Sequence, residues 1–161
     1  MAGPGRISTR NASHATLLDT NVLVYPHDPR DRAKQRRATE VLKRLLTAER
    51  AAVSVQCLTE LYSATTRRLS EPLVPQVALE QVGRLVQSCL VLDLTPTIVL
   101  EACRGSSQHQ LSIWDALIWA SAKMNGVPYI LTEDAEHGRF LEGVTYLNPF
   151  DPRFDLVPLL A

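Results

Sequence analysis

Cysteine is scarce in this sequence and does not pair by pattern. Cys57, Cys89 and Cys103 are odd in number, and no two are spaced C-x-x-C, which argues against a disulfide scaffold and against a thiol–disulfide motif. Cys57 and Cys103 fall inside helical patterns, where a free thiol packs as a small hydrophobe, and a reducing cytoplasm is the expected location. His14, His27, His109 and His137 have no zinc-ligand spacing. No apolar run approaches the roughly 20 residues that span a bilayer, so no membrane association is expected. The first 15 residues, "MAGPGRISTRNASHA", carry no apolar core. They do not make a secretory signal and are expected to be a disordered lead-in or a vector-derived remnant.

Net charge is missing too. Seventeen basic residues cancel seventeen acidic ones, so bulk electrostatics names no partner. The distribution is less even. Between positions 30 and 50 stand Arg30, Arg32, Lys34, Arg36, Arg37, Lys43, Arg44 and Arg50, against Asp31, Glu40 and Glu49, and Arg67 and Arg68 form a second cluster. Such a face is merely solvated unless an active site lies beside it, in which case it can track phosphates.

What is present is the pattern of one α/β domain. A chain of 161 residues suits a single domain and can bury about two-thirds of its unfolded surface without staples. Short apolar runs at 15–19, 51–55, 89–94, 127–132 and 144–148 are each bounded by turn formers or charges. Helical patterns occupy 30–48, 56–69, 75–88, 96–108 and 112–125. Strands separated by helices predict a mostly parallel sheet of four to five strands with helices on both faces. There is no internal repeat and no low-complexity tract. The expected division is a lead-in over 1–15, a folded domain over 16–150 and an apolar, proline-punctuated tail over 151–161 that packs on the domain or on a partner.

Ligands of open parallel sheets bind beyond the carboxyl ends of the strands, and four acids fall there. Asp19 ends the first run in "LLDTNVLVY". Glu60 lies in "LTELYSA" just after the second, Asp115 opens the apolar helix "SIWDALIWASA", and Asp134 follows Thr132 after "VPYIL". Each has an ordinary alternative. Asp19 can cap a helix beginning near Asn21. Ser112 and Asp115 resemble a capping box. Glu60 can be a solvated helix residue, and Asp134 a turn residue. The helix around Asp115 is apolar nearly all round, so this carboxylate is expected close to the interior, where an unpaired charge is expensive. Their joint placement is the informative fact. Two like charges about 4 Å apart repel by roughly 4 kcal/mol at an effective dielectric of 20, so a convergent set should bind a cation. Oxygen-only ligation selects Mg²⁺ or Mn²⁺, and with a basic helix adjacent the natural substrate is a nucleic-acid phosphodiester.

"LLDTNVLVY", "LTELYSA", "SIWDALIWASA" and "LTEDAEHGRFLEGVTYLNPF" together resemble the PIN-domain ribonucleases, and among them the VapC toxins of toxin–antitoxin modules, over about 16–150. The resemblance implies a divalent-metal endoribonuclease. Asp19 and Asp115 would be the central metal carboxylates, and Glu60 would complete the first metal's environment directly or through water. Asp134 would be the fourth acid, supporting a second metal or orienting water, and Asn21 and Thr132 would be supporting polar residues. Glu133 and His137 are expected to face solvent or at most to touch substrate. The resemblance further implies an RNA substrate, often a structured transfer or ribosomal RNA, a cognate antitoxin and a homodimer. A phosphatase of the haloacid dehalogenase kind would need a second aspartate two residues after Asp19, where Asn21 stands. A response-regulator receiver would need paired acids near the first strand and a late lysine, both missing. The remaining alternative is a catalytically inactive PIN-like module that binds RNA or protein.

Overall fold

The computed structural model describes residues 11–161. In chain order its elements are β1 (Thr16–Leu18), α1 (Thr20–Val24), α2 (Arg32–Thr47), β2 (Ala51–Ser54), α3 (Val55–Arg67), α4 (Pro75–Ser88), β3 (Leu90–Leu92), α5 (Pro96–His109), α6 (Ile113–Met124), β4 (Tyr129–Leu131), β5 (Phe140–Leu141) and β6 (Val144–Leu147), with 3-10 turns at Ala12–His14, Tyr25–His27 and Val157–Leu160. The strand order across the sheet is β3-β2-β1-β4-β6-β5. Five strands run parallel, and β5 pairs antiparallel with β6.

Local chemistry accounts for the helix starts. Asp19, Asp31, Ser54, Thr95 and Ser112 each accept a backbone N–H of the first helical turn through the side chain, and α4 and α5 begin with proline, whose missing N–H costs nothing there. The short α1 over Thr20–Val24 lies in the interval that the sequence pattern leaves open, and Asp19 is indeed its cap.

The connectivity locates the site. From β1 the chain steps outward to β2 and β3, then crosses back to place β4 on the other side of β1. Right-handed crossovers in opposite directions put α5 and α6 on the face opposite the earlier helices, and the reversal falls between β1 and β4. There Leu18 pairs with Leu131, and the Asp19 N–H donates to the Leu131 carbonyl at 3.0 Å. The sheet's switch point therefore opens directly beside Asp19 and Thr132.

The core is packed tightly where α5 meets α6. Trp119 is completely buried and its indole N–H donates to the Leu141 carbonyl at 3.2 Å. A Cβ added at Gly105 would lie 2.3 Å from Trp119 Cζ3, so α5 needs glycine at that point. Phe154, Leu156 and Leu159 of the tail are buried in the same core, so the tail packs on its own chain. Of the expected lead-in, 1–10 lie outside the described residues. Positions 11–15 are ordered, with Asn11 capping the first 3-10 turn and Ala15 buried. Cys57 and Cys89 are buried and Cys103 is exposed, so Cys103 does not play the expected core role.

The sheet has one strand more than the expected four to five. β5 is two residues long, joined to β6 by Glu142 and Gly143, both with positive φ (44° and 91°). This two-residue turn needs the left-handed region at both positions. A Glu-Gly pair does not advertise it as Asn-Gly would.

Candidate active site

Asp19 is held from three directions. One carboxylate oxygen accepts the Thr20 backbone N–H at 2.6 Å. The other accepts the Thr132 hydroxyl at 2.7 Å and the Asn21 side-chain amide at 3.3 Å. The Asn21 amide also donates to Thr132 Oγ1 (3.1 Å) and to an Asp134 oxygen (3.0 Å), and Thr132 Oγ1 in turn accepts the Asp134 backbone N–H at 3.1 Å. Asn21 and Thr132 thus stitch the start of α1 to the loop after β4. Asp19 is only 7% exposed. Burial pushes its carboxyl from 3.8 up to about 6, with the charges of Asp134 and Asp115 adding to the rise and the bonds from Thr132 and Thr20 opposing it.

Glu60 approaches from α3. One oxygen accepts the Thr20 hydroxyl at 2.9 Å, and the other accepts the Gln56 amide at 2.7 Å. Asp115 stands in the first turn of α6, where Ser112 Oγ accepts its backbone N–H and donates to its carboxylate at 2.8 Å. Ser112 therefore caps α6, but the Asp115 carboxylate returns to the Ser112 hydroxyl and not to its backbone N–H, so only half of the expected capping box is formed. Asp115 is exposed, not near the interior as the apolar pattern of α6 predicts, because only Ala116–Ala122 of that helix are buried and the first turn emerges into solvent.

All four acids meet at one place. A cleft of about 350 Å³ is lined by Asp19, Glu60, Asp115 and Asp134 together with Thr20 and Asn21. Behind it lies a smaller recess of about 40 Å³ reached by Asp19, Asp115, Thr132, Asp134 and Tyr146, enough for an ion or a water. The Tyr146 hydroxyl is buried with no hydrogen-bond partner among the described residues, and burial pushes it up to about 12. Among the described residues no Lys or Arg pairs with any of the four carboxylates. No group of three or more His, Cys, Asp or Glu residues is placed to hold a metal by itself among them either. Such a set suits Mg²⁺ or Mn²⁺, which use one or two carboxylates and keep several waters.

Several neighbours are not where the sequence suggests. Glu133 does not face solvent freely. It pairs with Lys34 at 2.6 Å and accepts the Tyr25 hydroxyl. His137 is half-buried, its Nδ1 accepting the Asn148 N–H at 3.1 Å and its ring edge-on to Phe154. Of the basic stretch, Arg30 reaches the cleft but is bound to Asp28 at 2.6 Å. Arg37 donates to the Pro149 carbonyl at 3.0 Å and lies over Phe154. Much of that basic face therefore braces the fold. Thr20, Gln56 and Trp114 also line the cleft; the "DTN" motif could have drawn attention to Thr20, while Trp114 was hidden by its apolar helix.

The sequence signature of the PIN domain matches residues 16–141. No curated protein matches the sequence. Among solved structures, the chain is similar to VapC20 of Mycobacterium tuberculosis, described as a Sarcin-Ricin loop cleaving toxin, at 20% identity and a TM-score of 0.57, covering 72% of this chain and 87% of that one. It is similar to a chain in a toxin–antitoxin complex from Klebsiella pneumoniae at 18% identity and a TM-score of 0.60, covering 85% and 99%, and to one in DNA-bound VapBC from Salmonella typhimurium at 16% and 0.60, covering 84% and 98%. At these identities the likeness is one of fold.

Proposed function

This chain belongs to the PIN-domain family, and from that premise we propose that it is an Mg²⁺- or Mn²⁺-dependent endoribonuclease toxin silenced by a cognate antitoxin. The observation that carries the reading is the convergence of four carboxylates from separate elements on one cleft, none of them ion-paired to a Lys or Arg among the described residues. Asp19 and Asp115 would hold the ion, with Glu60 and Asp134 completing its surroundings directly or through water. When bound, the ion supplies Lewis-acid polarisation of a phosphoryl oxygen and acidifies water for in-line attack.

The chain's own groups set up that chemistry. Thr132 and Asn21 fix the orientation of the Asp19 carboxylate, and Thr20 fixes that of Glu60. Asp134, oriented by Asn21, stands at the mouth of the cleft, where it can accept a proton from attacking water. Because Asp19 is half-protonated near pH 6 without a cation, cation binding expels a proton, and affinity rises with pH through that range.

A structured RNA substrate, an antitoxin partner and a homodimer belong to the same proposal; the first two are supported by the toxin and the toxin–antitoxin complexes that share the fold. Among the described residues no helix is long and apolar enough to cross a membrane. The test is incubation of purified protein with total RNA, with and without Mg²⁺, followed by mapping of new 5′ ends. Discrete ends that need Mg²⁺ are expected. Absence of cleavage, or cleavage that persists in excess EDTA, overturns the reading.

A further inference from the structure

The two tryptophans of α6 have opposite surroundings. Trp119 is completely buried, with Arg104 and Lys123 over its ring and His109 at its edge. Trp114, one residue before Asp115, is 64% exposed, and among the described residues no aromatic or cationic side chain stacks on it. Its backbone is nonetheless held, since the Gln56 amide donates to the Trp114 carbonyl at 3.2 Å while also donating to Glu60.

Trp114 forms part of the wall between two depressions. One is the acidic cleft. The other, of about 400 Å³, is lined by Thr20, Glu60, Ser63, Ala64, Arg68 and Trp114, and its size lies within the range of about 300–1,000 Å³ typical of small-ligand pockets. Arg68 also borders both. It is exposed and, unlike Arg30, has no side-chain partner among the described residues. An indole face and a guanidinium without a side-chain partner among the described residues therefore both border the acidic cleft and the depression beside it.

We propose that Trp114 and Arg68 form a nucleobase subsite that receives the unstacked base next to the scissile phosphate. The inference rests on the endoribonuclease reading and adds what that reading lacks, a sequence-tolerant grip on single-stranded RNA. Aromatic rings stack on the π-face of any base, and arginine adds a phosphate or cation–π contact. The subsite consequently selects loops and bulges over paired stems, whose bases stay stacked.

The protein carries its own probe, because only Trp114 is placed to sense a bound base. A short unstructured oligoribonucleotide is titrated into the protein with Ca²⁺ replacing Mg²⁺, absence of cleavage being verified on a gel. Tryptophan emission and the anisotropy of a dye on the RNA are followed for wild type, Trp114→Phe, Trp114→Ala and Arg68→Gln. Quenching in the wild type is expected, lost in both Trp114 variants. Affinity should fall about 10- to 100-fold in Trp114→Ala, be largely retained in Trp114→Phe, and show a shallower salt dependence in Arg68→Gln. Wild type that binds and cleaves RNA while Trp114→Ala binds it within about twofold overturns the subsite and leaves the nuclease standing. Wild type that neither binds nor cleaves RNA removes both. An indole untouched by RNA but shielded from acrylamide in a complex with a protein partner assigns the face to protein, and that too overturns the subsite.

Discussion

Replacing Asp19 with asparagine separates a helix cap from a carboxylate whose charge is penalised first by burial and then by the neighbouring acids. In the metal-free protein the Asp19 carboxyl titrates at about 6 instead of 3.8. The folded state therefore holds its proton more tightly than the unfolded chain between those values. Stability contributed by this group is fully present below about pH 4, is lost as pH rises through about 6, and stays lost above. At about 1.4 kcal/mol per pH unit, the ionised group costs the folded protein about 3 kcal/mol at neutral pH. Asparagine carries no charge and still caps. It cannot accept the Thr132 hydroxyl as a carboxylate does, because the matching atom is now an amide nitrogen, and losing that bond costs about 1 kcal/mol. The net expectation for Asp19→Asn in EDTA at pH 7.5 is a gain of about 2 kcal/mol, or roughly 4–8 °C in melting temperature at this chain length. Melting curves from pH 4 to 8 should show wild type losing stability between pH 4 and 6.5 while the variant lacks that slope. Saturating Mg²⁺ should reverse the order, since wild type gains about 2.7 kcal/mol at a hundredfold excess over Kd and the variant gains little. Parallel pH curves, or a variant that melts below wild type in EDTA at neutral pH, refute the electrostatic account and leave Asp19 as a cap alone.

Asp115→Asn keeps the Ser112 cap but should abolish RNA cleavage and flatten the Mg²⁺ response of the melting temperature; equal cleavage and equal response would remove Asp115 from the site. Gly105→Ala drives a methyl into the Trp119 ring and should cost about 1–3 kcal/mol, read by chemical denaturation. Tyr146→Phe deletes a buried hydroxyl that has no partner among the described residues and should leave metal-free stability unchanged or raise it by about 1 kcal/mol; a clear loss would reveal a water bonded to that hydroxyl. Phe154→Ala should destabilise by about 3–5 kcal/mol if the tail belongs to the core, whereas a neutral effect would return it to the surface.

The positions of the acids were legible because strand ends can be read from short apolar runs: Asp19 follows Thr16–Leu18 directly and Thr132 follows Tyr129–Leu131. Switch-point chemistry then places both at one crevice. The exposure of Asp115 was not legible, since α6 is apolar nearly all round and periodicity does not tell where a buried helix surfaces. Trp114 was lost for the same reason. The two-residue β5 is too short to show an alternation, and its Glu-Gly turn carries no strong composition signal. Nor does a count of positive charges reveal that Lys34 and Arg37 are committed to Glu133 and Pro149, since those partners lie about a hundred positions away.

That separation in sequence also bears on when the site can exist. The bond from Thr132 to Asp19 joins residues 113 positions apart, and the strand that carries Thr132 is the one that lies against β1. No nascent chain can complete the site before Asp134 has left the ribosome, 115 residues after Asp19. At roughly 5–20 residues per second this interval lasts roughly 6–23 s. A polypeptide stalled or cleaved anywhere before β4 holds at most three of the acids and none of the Thr132 scaffold, so an unfinished copy carries an incomplete site.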